Sequence, residues 1–291
     1  MRVRHDADGR HAMSTREVLR ILLARNQVGD LLRRVPGLPA AYARKAFRRS
    51  DHGGLQIGIY PSHAAAAAAI PPAKCKGWDS AEASAIWADR IDPVHPSGYP
   101  VFFWLQRLLT PGACLIDIGG SIGLTYYGYR RLAGLPAGIR WQVVEVPAIA
   151  AAGRVIAARE GAAGLDFPDG LNTAVPADIL LAAGALQYMP DAVPGLLERL
   201  PSRPSHLLIN KVALTEGEGF WTLQNFGPAA VPYRVWNRAA FLRYFTDAGY
   251  RLRDEWEVAE LALDIPFHPR RSVPALTGFY LTLDSTTLSS G

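Results

Sequence analysis

From residue 114 onward, short continuous apolar runs alternate with stretches whose apolar positions recur at helical spacing. The runs at 114–118, 141–146, 178–183 and 206–212 read as buried strands, with a shorter one at 165–167. Between them, 125–133, 149–160, 193–200 and 237–248 read as helices, the last with Asn237 as its cap. Runs at 250–258 and 278–284 close the chain as two strands separated only by a loop, so they are expected to pair antiparallel at one edge. Such an alternation predicts an α/β fold: a doubly wound, mostly parallel sheet with an antiparallel edge strand.

Residues 14–110 read differently, as helices broken by Gly/Pro punctuation at Pro36-Gly37, Gly53-Gly54, Pro71-Pro72 and 93–100. Val18, Leu19, Leu22, Leu23 and Leu31 fall near helical spacing, with Ser14 as candidate cap and Glu17 as its capping-box partner. Further helices are expected at 79–88 and 99–109. The expected organisation is a disordered 1–13, a helical N-terminal cap at 14–110, a ligand-binding domain at 111–284 and a disordered tail at 285–291.

Composition narrows the class. An apolar content of 49% supports a sizeable core. No apolar run reaches the roughly 20 residues of a spanning helix, and residues 1–13 lack the apolar segment of a secretory signal. Cys75 and Cys114 form neither a disulfide framework nor a metal-ligand spacing, and the seven histidines are scattered. A cytoplasmic protein without a bound metal is the expectation. The net charge of +5 is local: residues 1–50 hold 12 Lys/Arg against 4 Asp/Glu, and the other 241 hold 19 against 22. That basic segment suits an active-site lid or a carrier-protein contact better than a nucleic acid or a membrane, and a solvated helix face is the plain alternative.

The chemistry concentrates at Asp117-Ile118-Gly119-Gly120-Ser121-Ile122-Gly123. A buried strand runs into a glycine turn and then a helix, whose first N–H groups are free to bind an anion. Glu145 ends the next strand, where a carboxylate in a Rossmann-like sheet accepts from both ribose hydroxyls. Turn and acid together select an adenosine ligand. Dinucleotide sites favour GxGxxG; here Asp117 precedes the glycines, and an acid there repels a pyrophosphate but suits an ammonium and a sulfonium. The charge argument therefore points to S-adenosylmethionine (SAM) rather than a nicotinamide cofactor.

These phrases, with 178–188, resemble the motifs of class I SAM-dependent methyltransferases. More narrowly, Gly58-Ile59-Tyr60, Gly77-Trp78, 99–104, 117–127, 186–188 and Tyr233-Arg234-Val235 resemble a bacterial methyltransferase family found near polysaccharide and natural-product genes. Azetidine-2-carboxylate-forming SAM cyclases look like members of that same family. The resemblance covers roughly residues 55–258. It implies that Asp117 and the backbone of Gly119, Gly120, Ser121 and Gly123 hold the methionine moiety. It implies Glu145 at the ribose, Val146 beside the adenine, and Asp166 and Phe167 near its amino group and ring. It implies that Ala183, Gly184 and the residues to Tyr188 line the sulfonium. The Asp/Asn/Ser-Pro-Pro-aromatic phrase of DNA amino-methyltransferases is absent.

The aromatics Tyr126, Tyr127, Tyr188, Phe220, Trp221 and Tyr233 are candidates to face a sulfonium, or simply core filler. Thr222, Gln224 and Asn225 are candidates to hold an acceptor or the SAM amino group, against a default of loop polars. Tyr188, Gln224, Asn225 and Tyr126 are the expected catalytic set, and Lys211 reads as structural or a salt-bridge partner. The expected reaction is methyl transfer to a small oxygen or nitrogen nucleophile, which needs alignment more than acid–base power. The alternatives are SAM cyclisation with release of methylthioadenosine, and a non-catalytic SAM- or partner-binding module.

Overall fold

A computed structural model describes residues 15–48, 55–79, 94–190, 193, 195–227 and 229–284. The readings for residues 1–13, Ser14, 80–88 and 285–291 lie outside them. The described helices are α1 Thr15–Arg25, α2 Gln27–Arg33, α3 Leu38–Phe47, α4 His63–Ala68, α5 Tyr99–Leu108, α6 Leu124–Ala133, α7 Pro147–Arg159 and α8 Arg238–Asp247. The first six described strands are β1 Leu55–Tyr60, β2 Cys75–Lys76, β3 Cys114–Ile118, β4 Arg140–Val144, β5 Leu165–Asp166 and β6 Ile179–Ala183. The rest are β7 His206–Val212, β8 Leu214–Thr215, β9 Phe220–Asn225, β10 Ala229–Asn237, β11 Tyr250–Val258 and β12 Leu276–Leu283. No helix among the described residues is long and apolar enough to cross a membrane.

The chain forms two compact units. The larger takes residues 78–219, 234–261 and 275–291, and the smaller takes 1–77, 220–233 and 262–274. This division differs from the expected boundary near 110, and the smaller unit is assembled from three separate stretches.

In the larger unit the sheet order is β11-β12-β7-β6-β3-β4-β5. β3, β4, β5, β6 and β7 pair in parallel, while β12 runs against both β7 and β11. The expected antiparallel pairing of the last two strands is therefore present, with the reversed strand one place in from the edge. Each central strand is mostly apolar on both faces, as expected of parallel strands covered by helices, with Asp117 and Gln142 the buried polar residues of β3 and β4. Leu115, Trp141, Val143, Ile179 and Leu181 meet α5, α6 and α7 on one side. Ile116, Ile118, Leu180, Leu207 and Ile209 meet Phe241 and Phe245 of α8 on the other. The strand order reverses between β3 and β6, and the crevice beyond the carboxyl ends of such strands is where open α/β sheets place ligands.

Asn237 caps α8 as expected: its Oδ1 accepts from Ala240 N at 2.8 Å, and its Nδ2 donates to Gly217 O at 2.9 Å. Asn237→Ala is expected to cost ~1 kcal/mol or somewhat more, lowering Tm by about 2–4 °C per kcal/mol in calorimetry. One expected helix is corrected. Residues 193–200 contain only a 3-10 turn, Leu197–Arg199, among the described positions, because Gly195 adopts φ 81°.

The smaller unit is not wholly helical. Its sheet runs β1-β9-β10-β2, with β1 antiparallel to β9. Leu55, Ile57, Trp221 and Leu223 form its core with Phe47 and Ala66. The helical spacing read from Val18 to Leu31 is broken at Asn26, whose side chain accepts from Val28 N at 3.1 Å and starts α2. Leu23 of the expected apolar stripe is buried, whereas Val18, Leu19, Leu22 and Leu31 are exposed.

Candidate functional site

The site is built at the carboxyl ends of β3, β4 and β6. Asp117 leaves the buried end of β3 and is 1% exposed. Trp141 Nε1 donates to its Oδ2 at 3.1 Å, while Oδ1 is buried with no hydrogen-bond partner among the described residues. Burial drives the Asp117 carboxyl from its ordinary value near 4 up to about 7; the Trp141 bond opposes this and the Glu145 charge adds to it.

The turn after Asp117 needs its glycines. Gly119 has φ 64°, and a Cβ there would lie 2.3 Å from the Ala185 methyl. A Cβ on Gly120 would lie 2.5 Å from the Asp117 carboxyl carbon. Gly123 caps α6 at φ 94°, where a side chain would meet Leu165 at 2.7 Å. Between them Ser121 holds φ 57°, a strained angle for a side-chain-bearing residue, and its Oγ is buried without a partner among the described residues.

Glu145 follows β4 and reaches this turn. Its carboxylate accepts from the Ser121 backbone N–H and from Val146 N, the latter at 3.0 Å. Burial again dominates and pushes it up to about 7 against those two bonds. Val146 is the N-cap of α7, and Asp79 Oδ1 accepts from Ala148 N at 3.0 Å in that first turn. On the neighbouring strand, exposed Asp166 accepts from Phe167 N at 2.8 Å. Phe167 is buried against α7, where a Cβ on Gly153 would lie 2.4 Å from its ring.

From β6, Ala183 and Gly184 (φ 94°) lead into the 3-10 turn Leu186–Tyr188, with Gln187 Nε2 donating to Gly184 O at 2.9 Å. Tyr188 is half-buried, edge-on to Trp78 at 5.5 Å, and burial raises its hydroxyl above the usual phenol range. Asp117, Gly119–Gly123, Glu145, Ala183, Gly184 and Tyr188 thus share one end of one sheet.

Other expected site residues sit elsewhere. Tyr126 is buried edge-on against Trp141 at 5.8 Å, behind the Asp117 carboxylate. Gln224 and Asn225 lie on β9 in the smaller unit, with Phe220, Trp221, Thr222 and Tyr233. There Asn225 Nδ2 donates to Ala46 O at 3.0 Å, and Trp221 stands edge-on to His63 at 5.1 Å.

No family model matches the chain, and no curated protein matches it. Solved structures do. One is the Burkholderia thailandensis 1,6-didemethyltoxoflavin-N1-methyltransferase with bound 1,6-didemethyltoxoflavin and S-adenosylhomocysteine, at 19% identity and TM-score 0.46, covering 68% of this chain and 81% of that one. A second is the magnesium protoporphyrin IX methyltransferase of Synechocystis PCC 6803 with bound SAM, at 13% identity and TM-score 0.48, covering 71% and 93%. A third is the [4+2]-cyclase SpnF, at 12% identity and TM-score 0.43, covering 63% and 80%.

One site residue escaped the sequence reading, and a second, Lys211, reads there only as structural or a salt-bridge partner. Trp141 reads in the sequence only as the start of a strand, and the fold shows its N–H on Asp117. Lys211 sits on a β-bulge. Ile209 faces Phe279 and Val212 faces Thr277, so Asn210 and Lys211 together oppose Gly278. The bulge gives Lys211 φ 62° and sends its side chain beside β6, 3.3 Å from where a Cβ on Gly184 would lie. Burial lowers its ammonium pKa, with the Glu260 charge opposing. A cation at the end of a mostly buried strand was the available signal.

Proposed function

We propose that the larger unit binds SAM at the 119–123 turn and transfers its methyl group to a small oxygen or nitrogen nucleophile, in natural-product or polysaccharide biosynthesis. The observation that carries this reading is the convergence of two carboxyls, each raised to about 7, on a turn that excludes side chains and holds two orphaned oxygens. A ligand bearing an ammonium and ribose hydroxyls can satisfy the Asp117 and Glu145 carboxyls and the Ser121 hydroxyl, three groups in all, whereas a diphosphate would meet two developing negative charges.

In this reading Asp117 and the turn backbone hold the methionine moiety and Glu145 takes the ribose. Val146, Asp166 and Phe167 border the adenine. Tyr188 offers its ring to the sulfonium, worth about 0.5–2 kcal/mol. The acceptor's lone pair attacks the methyl carbon, the C–S bond breaks, S-adenosylhomocysteine leaves, and the acceptor's proton passes to Lys211. Tyr126 acts through Trp141 as a positioning residue. Asn225 keeps a role inside the smaller unit.

One observation favours a second reading, cyclisation of SAM to azetidine-2-carboxylate. An Asp117 carboxyl raised to about 7 is a weak partner for an ammonium, and a neutral amine is the nucleophile that cyclisation requires. Its N–Cγ bond would form as Cγ–S breaks, methylthioadenosine would leave, and the amine proton would pass to Lys211.

Incubation of the purified chain with SAM alone, followed by mass spectrometry, separates the two. Methylthioadenosine with an azetidine amino acid establishes cyclisation. Unchanged SAM, followed by labelled methyl on a sugar, amino acid or carrier-bound acyl group, establishes methyl transfer. Bound SAM with no turnover on any of these leaves a binding module, and absence of SAM binding overturns the whole reading.

The carboxyls also fix a pH dependence. Raised values in the free protein mean that ionising Asp117 and Glu145 opposes folding, so unliganded stability should fall as pH rises from about 4 through about 7. A ligand that pairs with the ionised forms reverses the sign. S-adenosylhomocysteine, which keeps the ammonium and the ribose, should bind about tenfold more tightly at pH 8 than at pH 6 for each carboxyl that must ionise. Calorimetry in buffers of different ionisation enthalpy should register proton release on binding.

A further inference from the structure

The smaller unit contains a cleft of about 430 Å³ that the SAM reading does not use. Two chain segments more than 230 residues apart supply its walls: α2 with the residue after it, and the 3-10 turn Pro269–Arg271 with His268 before it. Four guanidinium groups, Arg33, Arg34, Arg270 and Arg271, line it with His268, against a single carboxylate, Asp30. Its size falls within the roughly 300–1,000 Å³ of small-molecule sites.

Like charges do not gather in a concave space unaided. Here a separate set of bonds holds the two segments together. Phe267 N donates to Leu23 O at 2.9 Å, and Ser272 Oγ donates to Ala24 O at 2.7 Å. Asp264, 9% exposed, accepts from Arg25 Nε at 2.5 Å and lies 3.9 Å from Arg20. Leu263 and Val273 bridge the base of the loop. The cationic cleft is thus fixed by contacts outside itself.

Inside it, neutralisation is incomplete. Asp30 lies 3.5 Å from Arg33 and 4.0 Å from Arg270, so one carboxylate is shared between two arginines. Arg34 forms no ion pair among the described residues, whereas Arg271 has partners of its own, the Phe220 ring at 5.2 Å among them. Arg33 Nη1 lies 3.2 Å from His268 Nδ1. Arginine can only donate, so Nδ1 accepts and the imidazole carries its proton on Nε2, adding a further donor. Burial and the neighbouring Arg33 and Arg271 hold that imidazole below its usual range.

We propose that this cleft binds a phosphate-bearing small molecule, with the planar guanidinium forks engaging its phosphate or diphosphate end. Phosphate suits the site better than carboxylate because its oxygens are distributed in three dimensions and can engage donors from both walls, as forked guanidinium pairs do. The ligand is separate from SAM, whose ammonium and sulfonium demand the opposite electrostatics.

Titration calorimetry of the full chain with inorganic pyrophosphate, with inorganic phosphate and with citrate tests this at constant ionic strength and saturating S-adenosylhomocysteine. Saturable one-to-one binding of pyrophosphate or phosphate with a Kd of ~1 mM or below is expected, with citrate at least about tenfold weaker. Arg33→Gln and Arg271→Gln should each weaken binding by about tenfold or more. Arg251→Gln, at a surface ion pair with Asp284 in the larger unit, should leave it unchanged. Pyrophosphate tighter than phosphate identifies a diphosphate ligand, and the reverse identifies a monoester. No saturable binding, equal binding of citrate, or equal weakening by Arg251→Gln overturns the proposal. Circular dichroism of each variant separates lost binding from lost fold.

Discussion

Gly119→Ala is expected to abolish S-adenosylhomocysteine binding and to destabilise the chain by ~2–5 kcal/mol, the sum of left-handed strain and overpacking. The new methyl would need a positive φ and would stand 2.3 Å from the Ala185 side chain, so the β3 and β6 turns would have to separate. That separation moves the Ser121 N–H away from Glu145 as well. Gly134→Ala is the control away from the site: φ 72° with ψ 170° is an essentially glycine-only conformation, but nothing lies within 4 Å of the added atom, so only backbone strain of ~1–3 kcal/mol applies. Thermal denaturation with and without S-adenosylhomocysteine should show a ligand-induced rise in Tm for Gly134→Ala and none for Gly119→Ala. Equal ligand response in both would remove the turn from the binding site.

Lys211→Met should lower kcat by about 10²–10⁴-fold while leaving S-adenosylhomocysteine affinity within a few-fold, the range typical of losing a general base. Lys211→Arg is the decisive companion. It keeps the charge and much of the length but does not surrender its proton near neutral pH, so it should be as impaired as Met if Lys211 takes a proton. If the cation merely supports the strand end, Arg should rescue. The wild-type rate should climb with pH until Lys211 is neutral, below the usual lysine range because burial lowers it, and that limb should vanish in both variants.

The larger unit was legible because parallel strands covered on both faces leave continuous apolar runs, and Cys114–Ile118 and His206–Val212 took the same bounds as their runs. The glycine turn was legible because its constraints are local: φ values and close approaches within a few residues of Asp117. The pairing of Trp141 with Asp117 was not, since strand register alone brings them together. Gln224 and Asn225 read as catalytic polars of an insertion rather than as strand residues because β9 mixes aromatics with amides, and the strand depends on β1 lying beside it, with Gln56 opposite Gln224. The helix read at 193–200 failed at Gly195, where a left-handed residue outweighs the apolar spacing around it.

The scattered make-up of the smaller unit has a consequence for how the protein is made. β1 is synthesised by residue 60, yet its partner β9 begins at residue 220, and the loop that anchors α1 does not end until Ser272 and Val273. At ribosomal speeds of about 5–20 residues per second, β1 emerges on the order of ten seconds or more before the strand that covers it. During that interval its unpaired edge is a template for other chains, and the nascent protein depends on chaperones or on keeping Leu55 and Ile57 out of reach. Expression slowed between residues 60 and 220 should therefore raise aggregation, whereas slowing after residue 274 should not.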